Sequence, residues 1–251
     1  MSNNVLNVKE MKEILHKGTF NYSIDQIKIR FTKDVAKSSV MGTNIISLVN
    51  KENDILTNLS DQDEVEFNIM DPMTNIRPIL ELVKDDSINI EVSDEKIALK
   101  KGRFRSNIHF CDPHIIQEMN RKPKDININH TMQLNDENME SVDKIIKTCI
   151  KLRFKKIYFG VEKGILFIET TDRTNKFSNK LKYELEKSGS SDFVMCFDNK
   201  LISNLVKVMG SDYESFSFDF SYLEEHEIGR ISAKKNDLSE VYYLMSEKEN
   251  V

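Results

Sequence analysis

The sequence has few of the residues that mark fibrous, low-complexity and membrane proteins. Its 251 residues include 8 Gly, 4 Pro, 3 Cys and no Trp. So little Gly and Pro excludes a collagen-like or low-complexity chain. No apolar run approaches the ~18 residues of a membrane-spanning helix, and the first four residues lack the basic and apolar pattern of a secretory signal. We therefore expect a cytoplasmic protein that does not engage a membrane.

Signatures of catalysis are also scarce. Cys111, Cys149 and Cys196 are too few and too far apart for a disulfide framework or a zinc knuckle. The sequence has neither a glycine-rich phosphate loop nor a Ser nucleophile elbow, so it does not support ATP hydrolysis or acyl transfer. One enzyme alternative stays open: a metal-dependent enzyme using His109, Cys111 and His114, although their spacing matches no standard zinc pattern. The main expectation is a protein with no enzymatic activity and no cofactor.

What the chain does contain is enough apolar material for a core and an abundance of charge. Hydrophobic residues make up 39% and charged residues 31%, with a net charge of -5. This acidic balance argues against a protein that coats nucleic acid with its whole surface. A basic stripe on an acidic body remains compatible with it, so the placement of Lys and Arg decides the interpretation.

Alternation of polar residues with β-branched and aromatic ones predicts strands along most of the chain. Residues 93–95 and 162–164 join two strand pairs too closely for a parallel crossover, which predicts antiparallel hairpins and argues against a doubly wound α/β fold. The predicted strands are residues 26–32, 65–70, 88–92, 96–100, 104–110, 156–161, 165–170, 180–185, 193–197, 215–220, 228–233 and 241–245.

Four segments switch to helical periodicity, and their order repeats: a helix, strands, a second helix and more strands occur in each half of the chain. The helices are predicted near residues 8–17, 72–84, 140–153 and 198–210. We predict an α+β protein of two structurally similar domains, 1–110 and 135–251, joined by an extended connecting segment, 111–134. Pro78 should distort the second helix, because proline has no backbone N–H to donate.

Each predicted helix carries basic residues opposite its apolar face. At 100° per residue, Lys144, Lys147 and Lys151 share one side of the third helix. Such a face is common on any single helix, but four at matched positions in an acidic chain predict a surface that attracts phosphates without reading bases. The predicted DNA-binding residues are Lys9, Lys12, Lys17, Arg77, Lys84, Lys144, Lys147, Lys151, Lys200 and Lys207.

Two regions carry a family resemblance. Residues 66–97 and 103–110 look like the second half of a first domain, and Glu-Val-Tyr-Tyr-Leu-Met at residues 240–245 looks like a last strand, of one known family. That family is the ring-shaped sliding clamps, the DNA polymerase processivity factors. The sequence is most similar to the bacteriophage type and also resembles proliferating cell nuclear antigen. The resemblance covers nearly the whole chain in the order of its elements.

The resemblance implies antiparallel sheets on the outside of each domain and two helices lining a central hole. Clamps use six such domains, so a two-domain chain implies a homotrimer closed head to tail. Twelve helices spaced by ~8–10 Å leave an opening of ~25 Å, wide enough for a DNA duplex. The implied protein is a non-catalytic viral clamp that encircles double-stranded DNA and tethers the replicative DNA polymerase. Its implied partners also include a clamp-loader ATPase and, in phage-type systems, transcription factors.

By the same resemblance, partner proteins dock a short peptide in an apolar pocket under the connecting segment, beside the C-terminal strand. The alternative for each candidate below is that it is an ordinary core residue. The candidates are Met41, Ile45, Ile115, Ile116, Tyr243 and Met245.

A second functional alternative keeps the clamp fold but not the ring. In that case the protein is a DNA-replication scaffold or interaction protein.

Overall fold

The computed structural model divides into two compact units, residues 1–122 (unit 1) and 123–251 (unit 2). Each unit contains the order strand, helix, three strands twice, with one additional two-residue strand in unit 1. Antiparallel sheets and helices in this arrangement confirm the predicted α+β class. The residues that the structure describes are 4–59, 64–119, 127–173, 175 and 177–248.

Unit 1 contains two antiparallel sheets, with strand orders β5-β1-β7-β8-β9 and β4-β3-β2-β6. Its strands are β1 (Asn4–Asn7), β2 (Gln26–Phe31), β3 (Val35–Gly42), β4 (Ile45–Glu52), β5 (Leu56–Thr57), β6 (Val65–Met70), β7 (Ser87–Val92), β8 (Lys96–Lys101) and β9 (Phe104–His109).

Helix α1 (Val8–Gly18) forms where the sequence predicts it. The Asn7 side chain caps its first turn by accepting a hydrogen bond from the Glu10 N–H at 3.2 Å. An amide oxygen at this position satisfies one of the N–H groups that a helix start leaves unpaired. Met11 and Ile14 are buried on the face toward the core.

The second predicted helix is broken into α2 (Pro72–Asn75) and α3 (Arg77–Leu82). The break falls at Ile76, and Pro78 lies in the first turn of α3. Proline fits a first turn, where its missing N–H costs nothing, but not a helix interior. The distortion expected from Pro78 is therefore observed as two short helices.

Unit 2 repeats the architecture, with strand orders β10-β15-β16-β17 and β13-β12-β11-β14. Its elements are β10 (His130–Gln133), α4 (Asp136–Leu152), β11 (Lys156–Glu162), β12 (Ile165–Thr170), β13 (Leu181–Lys187), β14 (Phe193–Asp198), α5 (Asn199–Met209), β15 (Phe216–Leu223), β16 (Ile228–Lys235) and β17 (Glu240–Met245).

Helix α4 begins at Asp136, four residues before the predicted start. Asn135 and Asn138 cap it reciprocally: each side-chain oxygen accepts the other's backbone N–H, at 3.0 and 2.9 Å. This exchange satisfies two backbone donors at once and fixes the start of the helix.

Part of the predicted connecting segment, 111–134, belongs to a sheet of unit 2 instead of crossing the surface. His130–Gln133 form β10, which pairs with β15, and Met132 is fully buried. Alternating burial along this stretch explains why it joins a sheet, since one face of a strand can enter the core. At the other end, the Cys111 N–H donates to the Asn68 carbonyl of unit 1. Residues 121–124 lie outside the described residues.

In each unit, the helices and the inner faces of the two sheets enclose one core. Phe31 and Phe67 meet edge to face in unit 1, with ring centroids 4.8 Å apart. In unit 2, the ring of Phe159 packs near those of Phe197 and Phe220, with ring centroids 6.1 and 5.7 Å apart. Among the described ranges, no helix has the length and apolar character needed to cross a membrane.

Candidate nucleic-acid interface

Helices α4 and α5 contact each other in unit 2, and each buries one face. The buried side chains include Val142, Ile145, Ile146 and Cys149 on α4, and Ile202, Leu205, Val208 and Met209 on α5. Five of the predicted DNA-binding lysines are exposed on these helices: Lys144, Lys147, Lys151, Lys200 and Lys207. The amphipathic pattern therefore places them on the side away from the core.

Two of the α4 lysines are paired with acids one turn earlier. Lys144 Nζ lies 2.7 Å from a Glu140 oxygen, and Lys147 Nζ lies 3.0 Å from an Asp143 oxygen. The hydrogen bond to Glu140 raises the pKa of Lys144, so this lysine stays cationic at neutral pH. Exposed pairs of this kind contribute little stability. A phosphate can compete for both lysines at small cost.

A groove of about 270 Å³ runs between α4 and α5. Ile150, which is 65% exposed, forms part of its apolar wall. Ser203, Asn204, Lys200 and Lys207 supply hydroxyl, amide and ammonium groups along it. These are the side chains that typically contact phosphate and sugar in DNA complexes.

In unit 1, the basic residues of α1 are less exposed than those of α4. Lys9 is exposed and Lys12 is half-buried, whereas Lys17 pairs with Glu13 at 2.7 Å. Burial by itself would raise the pKa of Glu13, but the hydrogen bond from Lys17 and the charges of Lys17 and Lys51 outweigh it and hold that pKa below its usual value. Glu13 therefore stays ionised and competes with any phosphate for Lys17.

Arg77 and Lys84 have different settings in unit 1. The Arg77 Nε donates to a Glu81 oxygen at 2.7 Å, and its guanidinium lies 4.9 Å from the centre of the Tyr22 ring. Lys84 is exposed just after α3, which ends at Leu82. The early end of the helix moves Lys84 off the predicted helical face.

The unit 1 candidates for partner binding lie around the end of β3. The Met41 N–H donates to the Gln117 carbonyl at 3.0 Å, which brings the segment with Ile115 and Ile116 to this strand. Ile45 and Ile116 are buried, whereas Ile115 is 58% exposed. Exposure of an isoleucine beside two buried ones is compatible with both a docking surface and an ordinary core margin.

The unit 2 candidates for partner binding are both on β17. Tyr243 and Met245 are half-buried, and their spacing of two places them on one face of the strand. The Arg230 guanidinium lies 5.0 Å from the centre of the Tyr243 ring. Tyr243 is thus held in place by a cationic neighbour.

The metal-site alternative receives no geometric support. Within the described parts of the chain, no three His, Cys, Asp or Glu side chains are arranged to hold a metal ion. Burial raises the pKa of the Cys111 thiol, which disfavours the thiolate that binds metals. Asp112 instead accepts a hydrogen bond from the His114 N–H at 2.9 Å, as in an ordinary turn.

No family model matches the sequence, and no curated protein matches it. Solved structures do match. A DNA polymerase III beta subunit from Thermotoga maritima aligns with a TM-score of 0.65 and 12% identity, covering 98% of this chain and 66% of its own. The A. fulgidus PCNA bound to the C-terminal region of FEN-1 aligns over the full length of both chains, with a TM-score of 0.66 and 14% identity. The fold is that of the DNA sliding clamps.

A DNA polymerase III beta chain from Streptococcus pneumoniae gives the same result, with a TM-score of 0.69 and 11% identity over 99% of this chain and 65% of its own. This chain thus shares the sliding-clamp fold with these proteins at sequence identities of 11–14%. The chain spans about two thirds of these bacterial beta subunits.

The helix predictions did not include a cluster of basic residues that follows α4. Lys151 is followed by Arg153, Lys155 and Lys156, so that four cations fall within six residues. Arg153 ends the helix with a positive φ of 58° and, like Lys155, is exposed. The density of basic residues along the sequence is the signal that predicts this cluster.

Proposed function

We propose that this protein is a DNA sliding clamp, a non-catalytic processivity factor that encircles duplex DNA and tethers a replicative DNA polymerase. The observation that carries the proposal is the clamp fold with exposed cations on the helices of both units. Ten basic side chains, nine on these helices and Lys84 just after α3, supply contacts to DNA: Lys9, Lys12, Lys17, Arg77, Lys84, Lys144, Lys147, Lys151, Lys200 and Lys207.

These contacts suit sliding because each of them is weak. Flexible ammonium groups attract phosphates of any sequence, and salt screens them. The α4 pairs with Glu140 and Asp143 weaken the attraction further, because each phosphate must displace a carboxylate. Retention on DNA then depends on the closed ring, while translation along the duplex stays fast.

Ring closure is supported by two strands with complementary charge. Among the described strands, β9 is paired on one side only, by β8, and β13 on one side only, by β12. Arg105 is exposed on β9, and Glu184 is exposed on β13. We assign these edges to head-to-tail contacts between copies, with three copies in the ring.

We assign the peptides of polymerase, of a clamp-loader ATPase and, in a phage-type system, of transcription factors to the residues predicted for partner binding. These are Met41, Ile45, Ile115 and Ile116 in unit 1 and Tyr243 and Met245 in unit 2. The half-buried Met41 and the exposed Ile115 support this assignment. Tethering through such a peptide raises the effective concentration of polymerase at the primer end.

Size-exclusion chromatography with light scattering, over a concentration series, tests the ring. We expect a mass near 88 kDa, three times the 29.2 kDa of one chain. Arg105→Glu and Glu184→Arg should each shift the mass toward the monomer, and the double variant should recover the trimer. A monomer at every concentration would favour the non-ring scaffold with the same fold.

A further inference from the structure

The outer face of the β13-β12-β11-β14 sheet of unit 2 contains a cavity of about 510 Å³. The strand registers set Tyr158 beside Glu169 on β12 and beside Cys196 on β14. Their neighbours Ile157 and Phe159 point to the core, so Tyr158, Glu169 and Cys196 share the opposite face. The face is therefore turned away from α4 and α5 and from the proposed DNA contacts.

The corresponding face of unit 1 is covered by the chain itself. Residues 111–119 cross β2 and reach the end of β3, where the Met41 N–H donates to the Gln117 carbonyl. The Glu118 carboxylate accepts hydrogen bonds from Arg30, at 2.6 and 2.9 Å, and from Lys28, at 3.3 Å. Unit 1 thus shows this face binding a segment of chain through one strand end and one carboxylate.

The two faces correspond in their strand registers and in one backbone contact. In unit 1 the chain leaves its last strand with the Cys111 N–H donating to the Asn68 carbonyl at 2.9 Å. In unit 2 the Glu247 N–H donates to the Cys196 carbonyl at 2.8 Å. In the strand registers, Thr171 then takes the place of Met41. Thr171 lines the cavity, so the cavity lies where unit 1 holds residues 115–118.

The walls of the cavity carry an excess of positive charge. Its basic residues are Arg153, Lys155, Lys156, Arg173 and Lys248, against only Asp172 and Glu247 among the acids. The Arg173 guanidinium lies 4.0 Å from the centre of the Tyr158 ring, and its Nη2 lies 3.5 Å from a Glu169 oxygen. The ring of Tyr158 and the carboxylate of Glu169 hold this guanidinium in place. A guanidinium held in a fixed orientation favours recognition of a carboxylate.

From these observations we infer that the cavity is a docking site for an extended, acidic peptide segment of a partner protein. The peptide crosses β11 as residues 115–118 cross β2, and its backbone pairs with the end of β12 at Thr171. One carboxylate of the peptide lies near Arg173 and Lys155, as Glu118 lies near Arg30 and Lys28. The inference concerns a surface separate from the proposed clamp function and does not depend on it.

The test selects random twelve-residue peptides, displayed on phage, on the full-length protein and in parallel on the double variant Lys155→Glu/Arg173→Glu. We expect acidic peptides to be enriched on the wild type and lost on the variant. For the best of them, made synthetically and labelled, fluorescence anisotropy should show at least about tenfold weaker binding to the variant. The matched control Lys37→Glu/Lys163→Glu, whose sites are exposed elsewhere, should change the affinity less than about twofold.

A second variant guards against misfolding, because Arg173 also contacts Tyr158 and Glu169. Lys155→Glu/Lys248→Glu leaves both contacts in place and should weaken peptide binding in the same direction, with an unchanged circular dichroism spectrum. The inference is overturned if no acidic peptide distinguishes the wild type from this variant. It is also overturned if duplex DNA displaces the peptide, or if both variants change the oligomeric mass.

Discussion

Units 1 and 2 share one architecture but use its two surfaces differently. On the helix side, only Lys9 is exposed among the three predicted lysines of α1 in unit 1, while all five predicted lysines of α4 and α5 are exposed in unit 2. On the outer side, unit 1 covers its sheet with residues 111–119, while unit 2 has a cavity. The fold therefore fixes where surfaces lie, and a small number of side chains decides what each surface binds.

The comparison predicts that DNA binding depends more on unit 2 than on unit 1. Lys144→Glu/Lys147→Glu/Lys151→Glu should weaken binding of a labelled duplex by about a hundredfold, and should lower the slope of log affinity against log salt by about 3, because three phosphate contacts are lost. The matched unit 1 variant, Lys9→Glu/Lys12→Glu/Lys17→Glu, should lose less, since Lys12 and Lys17 are half-buried whereas the three α4 lysines are exposed. Equal losses would contradict the comparison.

Removing a charged side chain from the covered face of unit 1 should destabilise the protein more than removing one from the open face of unit 2. Glu118→Ala removes the carboxylate that pairs with Lys28 and Arg30 and should lower the free energy of unfolding by about 1–3 kcal/mol. Arg173→Ala, on the open face, should cost less than half as much, because Arg173 is exposed. Urea denaturation of both variants measures the difference. A larger loss for Arg173→Ala would reverse the assignment of the two faces.

Acid should also weaken the covered face. Burial alone would raise the pKa of Glu66, but hydrogen bonds from Asn68, Arg30 and Lys28 outweigh it and hold that pKa below its usual value. The stabilisation is therefore present above the ordinary carboxyl pKa of about 4.3 and is lost as the pH falls through the lowered pKa. The melting temperature should fall more steeply below about pH 5 in the wild type than in Glu66→Gln. Parallel curves would show that Glu66 has no such role.

The smallest predicted effect concerns the acids that pair with the α4 lysines. Glu140→Gln/Asp143→Asn removes the competitors for Lys144 and Lys147 and should strengthen duplex binding by about two- to fivefold at low salt. The same experiment in unit 1, with Glu13→Gln, tests whether Lys17 becomes available. If the increase in duplex affinity of Glu140→Gln/Asp143→Asn persists at high salt, its origin is not the electrostatic attraction that salt screens.

The sequence alone predicted elements where local periodicity was intact. The amphipathic pattern located α1 and α5, and the 162–164 turn between β11 and β12 was placed correctly. Strands β3 and β4 were missed because serines occupy core positions in them. Ser38 and Ser47 are both buried, and the Ser47 hydroxyl donates to the Lys17 carbonyl at 3.1 Å, near the end of α1. A buried serine breaks the apolar alternation on which the strand prediction depends.

The site was predictable to a similar degree. Helical spacing placed the lysines of α4 and α5 on exposed faces, because that inference needs only the geometry of one helix. The same spacing, applied to acids, would have predicted the pair of Glu140 with Lys144. It could not have predicted that Glu118 meets Arg30, 88 residues earlier in the chain. Contacts of this range depend on how strands are ordered in a sheet.

By itself, the sequence determined the α+β class, the repeated order of elements and the exposed cationic sides of the helices, because these follow from local periodicity and side-chain chemistry. Only the tertiary structure decided which cations are neutralised, where Pro78 divides a helix and which outer face is covered. Those outcomes depend on distances between residues far apart in the chain, and strand pairing sets such distances.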